Sequence, residues 1–245
     1  MLIAFLISLL FAGEPDLFIV PKIENYCKRE LDEPTRKVVI AEIDEYKEAA
    51  DRITKSNRQT AKKFRKERLA YGLKESQFDN YLKVYIEKYE YMDSISMKSR
   101  RVFKKELKQE QWNEALSKID KQITKHQKNY LKRKNKLAKR INKLKKKTRQ
   151  SIDKKGMNPS ALVIIESFEQ HLHRALDDYE ISYFGLINSL RNYETSEDSI
   201  IANRKEINQI RYNFYNQFKK TYFDLSSILS PDEWKMIQKH FNSVI

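Results

Sequence analysis

The chain has 245 residues, 40% of them hydrophobic, and carries 49 Lys and Arg against 34 Asp and Glu, a formal net charge of +15. Four Gly and five Pro are too few for the many tight turns of a β-sandwich or barrel, and a single Cys excludes a disulfide framework and a Cys-rich zinc module. This hydrophobic content is enough to form a core, so the composition predicts a folded, mostly helical, all-α protein.

The N-terminal sequence MLIAFLISLLFAGEPD is typical of a secretory signal. Residues 2–12 are apolar apart from Ser8, and a bilayer-spanning helix needs roughly 20 residues. We therefore predict a signal peptide over 1–13 and a periplasmic or secreted protein. No Lys or Arg precedes the apolar stretch, so either the true start lies upstream or the signal is weak; the alternative is a short buried N-terminal helix. Cys27, in the segment 14–34, is expected to be a buried thiol.

Apolar residues recur every three or four positions through the rest of the chain, which is the spacing of amphipathic helices. Because helices of this length cannot bury their apolar faces alone, we expect them to pair as long antiparallel hairpins in an elongated, coiled-coil-like molecule. The pattern divides it into two related halves, 35–120 and 159–245, joined by a long basic helix, 121–158. The predicted helices cover about 35–71, 76–105, 109–155, 159–193 and 197–228, with a sixth from Pro231, and breaks at Gly72 and Gly156.

A hexad recurs at three predicted helix starts: LKESQF at 73–78, LKQEQW at 107–112 and LSPDEW at 229–234. Each has Leu first, Gln or Glu fifth and a large aromatic residue sixth. In the third copy a Ser N-cap and a Glu three positions later form a capping box, while Leu and Trp form a hydrophobic staple. Ordinary capping and stapling explains all three copies. The motif residues are Leu73, Gln77, Phe78, Leu107, Gln111, Trp112, Leu229, Ser230, Glu233 and Trp234.

Leu-x-x-x-Gln at helix starts, in a Lys-rich helical chain predicted to be exported, resembles the LTxxQ signature of the Spy/CpxP-type periplasmic chaperone family. The resemblance implies a thin cradle of helical hairpins that binds partly unfolded clients or a stress sensor without ATP or a cofactor. The chain departs from the signature because Lys74 and Lys108 stand where the family has Thr, Ser230 replaces Thr, and Glu233 replaces Gln.

The excess charge lies in one segment. Residues 121–155 contain 16 Lys and Arg and one acid, Asp153, which leaves 33 basic and 33 acidic residues elsewhere. Three interpretations stay open: a solvated helix face, a docking surface for acidic proteins or anionic lipid headgroups, and a nucleic-acid surface, which export would disfavour. The candidate anion-binding residues are Lys132, Arg133, Lys136, Lys139, Arg140, Lys143, Lys145, Lys146, Lys147 and Arg149.

No phosphate-binding loop, nucleophile elbow or zinc-protease motif occurs in the sequence. Glu169 and His173 are four apart and could share an ion, but His171 points elsewhere and two ligands make a weak site. We therefore predict no enzyme activity, no metal and no cofactor.

The first functional hypothesis is a non-enzymatic envelope protein that binds unfolded or envelope proteins, and such a holdase should slow aggregation of an unfolded client without ATP. The alternatives are a structural coiled-coil adaptor with a specific stable partner, and a binder of anionic polymers (nucleic acid or lipid headgroups) through the basic helix. A second copy of the chain, in a homodimer, is a further candidate partner.

Overall fold

The computed structural model describes residues 15–67 and 71–243, and the predicted signal peptide lies outside them. Within these two ranges the chain forms one 3-10 helix and eight α-helices and has no β-strand, so the predicted all-α fold is confirmed. After the 3-10 helix Pro15–Phe18 come α1 (Val20–Glu30), α2 (Glu33–Glu67), α3 (Glu75–Glu106), α4 (Gln109–Leu116), α5 (Ile119–Lys155), α6 (Ser160–Arg191), α7 (Glu197–Ile228) and α8 (Pro231–Ser243).

The helices begin and end close to the predicted positions. Both predicted glycine breaks have left-handed backbone, with φ of +79° at Gly72 and +66° at Gly156. The Gly156 N–H donates to the Ile152 carbonyl at 3.1 Å and closes the last turn of α5. A residue with a Cβ is strained in this conformation, so the two glycines fix where the chain reverses.

The prediction of one continuous helix from 109 to 155 is wrong, because Ser117 and Lys118 separate α4 from α5. The Ser117 hydroxyl and N–H both donate to the Glu114 carbonyl, at 2.8 and 3.2 Å, which makes a tight turn. Tertiary packing explains the break, since α4 lies against α1 whereas α5 lies against α6. Apolar spacing continues across the turn and therefore did not reveal it.

The sequence interpretation also missed helix α1 inside the segment 14–34. Ile23 and Cys27 are fully buried, and the Tyr26 hydroxyl donates to Glu114 of α4 at 3.2 Å. The predicted burial of Cys27 is confirmed, and that burial raises the pKa of the thiol to about 11. Since α1 has only 11 residues, its apolar spacing is too short a pattern to stand out.

The long helices pack antiparallel in the order α2, α3, α7, α6, α5. Cross-helix contacts show the direction: Asp93 and Arg101 of α3 meet Arg204 and Glu197 of α7, so positions rise along one helix and fall along the other. Helices α2, α3, α5, α6 and α7 have 32 to 37 residues and are therefore about 48–55 Å long. The hairpins predicted from the sequence are thus present in an elongated arrangement.

One hydrophobic cluster includes buried side chains from all eight helices. Helix α3 of the first predicted half packs along α7 of the second, so the two halves contact each other directly. The basic helix α5 lies outside α6 and does not hold the halves apart. The domain boundaries at 120 and 158 stay predictions.

Two helices in each predicted half share the same spacing along the sequence. Helices α3 and α7 both have 32 residues and start 122 positions apart, and α4 and α8 start 122 positions apart as well. The same shift relates Leu107 to Leu229 and Trp112 to Trp234, all four of which are buried. Because α3 and α7 are antiparallel, the related segments face opposite ends of the molecule.

Candidate functional site

The three hexads cap helices, as the sequence predicted for α3, α4 and α8. The N-cap N–H groups of Lys74, Lys108 and Ser230 donate to the side chains of Gln77, Gln111 and Glu233, at 2.9, 2.9 and 2.8 Å. Only the third copy completes the reciprocal box, with the Glu233 N–H donating to the Ser230 hydroxyl at 3.3 Å, because a Lys N-cap has no acceptor to offer.

The hydrophobic residues of the hexads lie in the core. Leu73, Leu107 and Leu229 are buried, and so are Phe78, Trp112 and Trp234. These six side chains pack in the core, and none of them is exposed where a client protein could contact it.

The first and third hexads meet at one end of the molecule. Phe78 and Trp234 both pack on Tyr222, with ring centroids 4.8 and 5.0 Å apart. The Tyr222 hydroxyl accepts the Leu73 N–H at 3.0 Å. At the other end, the Trp112 indole donates to the Arg191 carbonyl at 2.7 Å, which ties α4 to the end of α6.

The outer face of α5 carries a single line of exposed lysines, which we call the lysine stripe. Successive members are three or four residues apart, so at 100° per residue they occupy a sector roughly 80° wide. The stripe runs about 37 Å at 1.5 Å per residue. Its members are Lys121, Lys125, Lys128, Lys132, Lys136, Lys139, Lys143 and Lys146.

The opposite face of α5 packs on α6 and is electrically neutralised there. Lys134 pairs with Glu180 at 2.9 Å and with Asp177, and Lys145 pairs with Glu169 at 2.5 Å. Burial lowers the pKa of Lys134, but its hydrogen bonds to the two carboxylates outweigh this, so the pKa lies above its ordinary value. Lys134 therefore stays charged, and the ion pairs of Lys134 and Lys145 hold α5 on α6.

The ten predicted anion-binding residues thus separate into three groups. Arg149 pairs with Glu166 at 2.9 Å and belongs, with Lys145, to the α5–α6 contact. The second group lies on one flank of the stripe and is half-buried; its members are Arg133, Arg140 and Lys147. The remaining five predicted residues, Lys132, Lys136, Lys139, Lys143 and Lys146, are members of the stripe.

The prediction missed the first three lysines of the stripe, Lys121, Lys125 and Lys128. Their spacing of four and three continues the pattern of the later ones, so helical register could have found them. Among the residues that the structure describes, no acidic side chain pairs with any member of the stripe.

A second group of charged residues, missed by sequence reasoning, is buried between α3 and α7. Arg204 is 4% exposed and pairs with Asp16 of the 3-10 helix at 2.7 Å and with Asp93 of α3 at 2.5 Å. The Ser96 hydroxyl contacts both Asp16 and Arg204. This network fixes the N-terminal segment to the central helix pair.

The residues considered for a metal site are otherwise engaged. Glu169 pairs with Lys145, its second oxygen lies 4.0 Å from His173, and the His171 ring contacts the Ser167 carbonyl at 2.8 Å. Over 15–67 and 71–243, no three His, Cys, Asp or Glu side chains group in a way that would hold an ion.

Scans against protein-family models, curated proteins and solved structures find no match to this chain. None of the described helices combines the length and the hydropathy needed to cross a membrane.

Proposed function

We propose that this protein is a non-catalytic binding protein that docks on an anionic membrane surface through the lysine stripe of α5. The observation that supports this most directly is the geometry of the stripe: eight exposed lysines in one straight line, unpaired by any acidic side chain among the described residues.

Such a line of like charges is unfavourable in the protein alone. Neighbouring like charges at i,i+3 and i,i+4 each destabilise a helix by about 0.2–0.5 kcal/mol. Acidic side chains of α6 pair with cations on the inner side of α5, such as Lys134 and Lys145, but within 15–67 and 71–243 no acidic side chain pairs with the stripe. One Glu in each turn would remove this repulsion. The absence of such acidic residues from the stripe is consistent with an external anionic partner.

A planar partner fits the stripe better than a nucleic-acid duplex does. A straight rod touches a plane along its whole length, whereas the phosphates of a duplex wind away from it. Sequence-tolerant single-strand binders also use exposed aromatic rings to stack bases, and the stripe contains only lysine. Lysine is a compact point charge suited to general electrostatic attraction, while bidentate phosphate recognition favours arginine.

The energies are sufficient for docking. A lysine near an anionic membrane surface contributes about 1 kcal/mol, so eight of them supply several kcal/mol even when some do not reach the surface. The attraction falls off within a Debye length of about 8 Å at physiological ionic strength, so binding should weaken steeply as salt is added.

The test compares two quadruple variants in a vesicle sedimentation assay with phosphatidylcholine and phosphatidylserine. The stripe variant replaces Lys132, Lys136, Lys139 and Lys143 by Gln. A control removes the same charge from four exposed lysines elsewhere, Lys55, Lys105, Lys205 and Lys220. At about 1 kcal/mol for each lysine, the stripe variant should bind roughly 10³-fold more weakly, and the control should bind nearly as the wild type does.

Equal losses in the two variants would contradict the proposal, because net charge alone would then govern binding. Duplex DNA of the same charge concentration is included as a competitor. If it bound the stripe more tightly than the vesicles did, the partner would be nucleic acid and the membrane proposal would fail.

The chaperone and adaptor hypotheses stay predictions. The hexads that carry the family resemblance contribute buried side chains, so they give no client-binding surface. Large exposed apolar side chains among the described residues, such as Val38, Val163 and Ile181, are distributed over several helices. Neither feature adds support to a holdase.

A further inference from the structure

A pocket of about 370 Å³ lies between α5 and α6, at the edge of the lysine stripe. Lys132, a member of the stripe, forms part of its wall, together with Arg133 and Asn129. The pocket therefore opens where a ligand bound at the stripe would arrive. Its volume lies at the lower end of the range for small-molecule sites, which suits a headgroup rather than a large ligand.

The floor of this pocket is a stack of buried tyrosine rings. It is formed by Tyr130, Tyr179 and Tyr183, whose rings stack in sequence with centroids 6.3 and 5.3 Å apart. The Tyr130 hydroxyl donates to the Leu176 carbonyl at 2.9 Å, which fixes the first ring. Because the floor is packed before any ligand enters, binding would order few side chains.

The charge of the pocket favours an anion of more than one unit. Two cations, Lys132 and Arg133, line it, and no acidic side chain does. Two carboxylates on the facing helix, Asp177 and Glu180, both pair with Lys134. The amide of Asn129 and the ring of His126 add hydrogen-bonding groups.

His126 completes the wall. Its ring contacts Phe18, Tyr183 and Phe184 with centroids 4.8, 5.7 and 5.8 Å away. Burial, and to a smaller extent the charge of Arg133, lowers the pKa of His126, so the ring is neutral near pH 7. A neutral imidazole offers one donor and one acceptor to a polar ligand.

We propose that this pocket binds the phosphate of a phosphomonoester, either a lipid headgroup or a soluble one. Such a group carries about −1.5 to −2 charges at pH 7 and three acceptor oxygens, which match the two cations and the amide of the wall. A phosphodiester or a carboxylate carries a single negative charge and should therefore bind in the pocket more weakly. This inference deepens the proposed function, because it adds headgroup selectivity to the general attraction of the stripe.

The first experiment compares vesicles that contain phosphatidic acid, a phosphomonoester, with vesicles that contain phosphatidylserine, adjusted to the same surface potential. The variant Arg133→Gln removes one pocket cation, and Arg140→Gln removes an equally half-buried arginine seven residues further along the same helix, outside the pocket. The wild type and Arg140→Gln should prefer phosphatidic acid by roughly tenfold, and Arg133→Gln should lose that preference.

A second pair of variants guards against an effect on folding. Asn129→Asp introduces a negative charge at the wall with little change in volume and should also abolish the preference, whereas Asn135→Asp, on an exposed part of α5, should keep it. Thermal unfolding of all four variants is measured alongside. Retention of the preference in both pocket variants would overturn the proposal.

The soluble arm uses glycerol 3-phosphate and follows the His126 ring signals by NMR, with sodium chloride at equal ionic strength as the reference. A saturable shift that Arg133→Gln abolishes supports the pocket, and such a shift without any vesicle preference would identify a soluble phosphomonoester as the ligand. If no shift occurs and the two vesicle types bind equally well, the proposal of a phosphomonoester site is wrong. The proposed function of the stripe is then still tested separately, by the quadruple Gln variant. Conversely, an unaffected stripe variant would overturn the proposed function while this arm still decides the pocket.

Discussion

Positive charge occurs in two contrasting settings in this molecule: buried arginines between α3 and α7, and exposed lysines on α5. Arg100, Arg204 and Arg211 are each at most 5% exposed. Arg100 donates to the Leu190 carbonyl at 2.7 Å, Arg204 pairs with two carboxylates, and Arg211 lies over the Tyr89 ring, 4.0 Å from its centroid. Every stripe lysine, by contrast, is exposed.

The contrast shows that the role of a cation depends on what surrounds it and on its shape. A guanidinium presents five donors in a planar fork and can satisfy several acceptors at once, so it can be buried when partners surround it. An ammonium on a flexible stem is strongly hydrated and stays at the surface. The arginines therefore join the two halves of the fold, and the lysines stay exposed to solvent.

The largest expected effect is from breaking the buried network. Replacing Arg204 by Met leaves Asp16 and Asp93 without their cation, and the loss of one partner of a buried pair costs about 3–5 kcal/mol of unfolding free energy. Urea unfolding measures this. The neighbouring change Lys205→Met, at an exposed position of the same helix, should have little effect, and similar losses in both variants would show that the network is not structural.

Removing charge from the stripe should have the opposite sign. In the quadruple Gln variant at Lys132, Lys136, Lys139 and Lys143, the repulsion between neighbours falls by about 0.2–0.5 kcal/mol for each pair. We expect the unfolding free energy to rise slightly at low ionic strength and to approach the wild-type value in high salt, where the repulsion is screened. A loss of stability in low salt would mean that these lysines have structural partners.

The smallest expected effect concerns pH and the half-buried His126. Because its folded-state pKa is below the ordinary value of 6.5, the unfolded chain takes up a proton more readily as the pH falls through that value. Stability should therefore fall as the pH is lowered from about 7 through that ordinary value. The change His126→Gln should make that fall shallower, whereas the exposed His171→Gln should not, and chemical denaturation at a series of pH values compares them.

Much of the fold was predictable because it is repetitive. The three-and-four spacing located the long helices, and the glycine breaks and hexads marked their ends, for example Gly156 after α5 and Leu229 before α8. The misses were local or depended on distant contacts. The 11-residue α1 was too short for a clear pattern, and the turn at Ser117 follows from the different neighbours of α4 and α5.

The candidate site was only partly predictable. The sequence located the excess charge in 121–155, since composition along the chain is sufficient for that. It did not separate the stripe from Lys145 and Arg149, because their acidic partners lie on α6, 17 or more residues away along the chain. The pocket beside Lys132 could not be predicted either, because its lining residues come from two helices, α5 and α6.

The sequence by itself therefore determined the helices, most of their ends and the segment that holds the net charge, because all three follow from residues near one another along the chain. Only the tertiary structure decided which helices are neighbours, that Asp16 meets Arg204, and which cations are neutralised and which are exposed. Those outcomes depend on residues far apart along the chain, and short-range spacing carries no information about them.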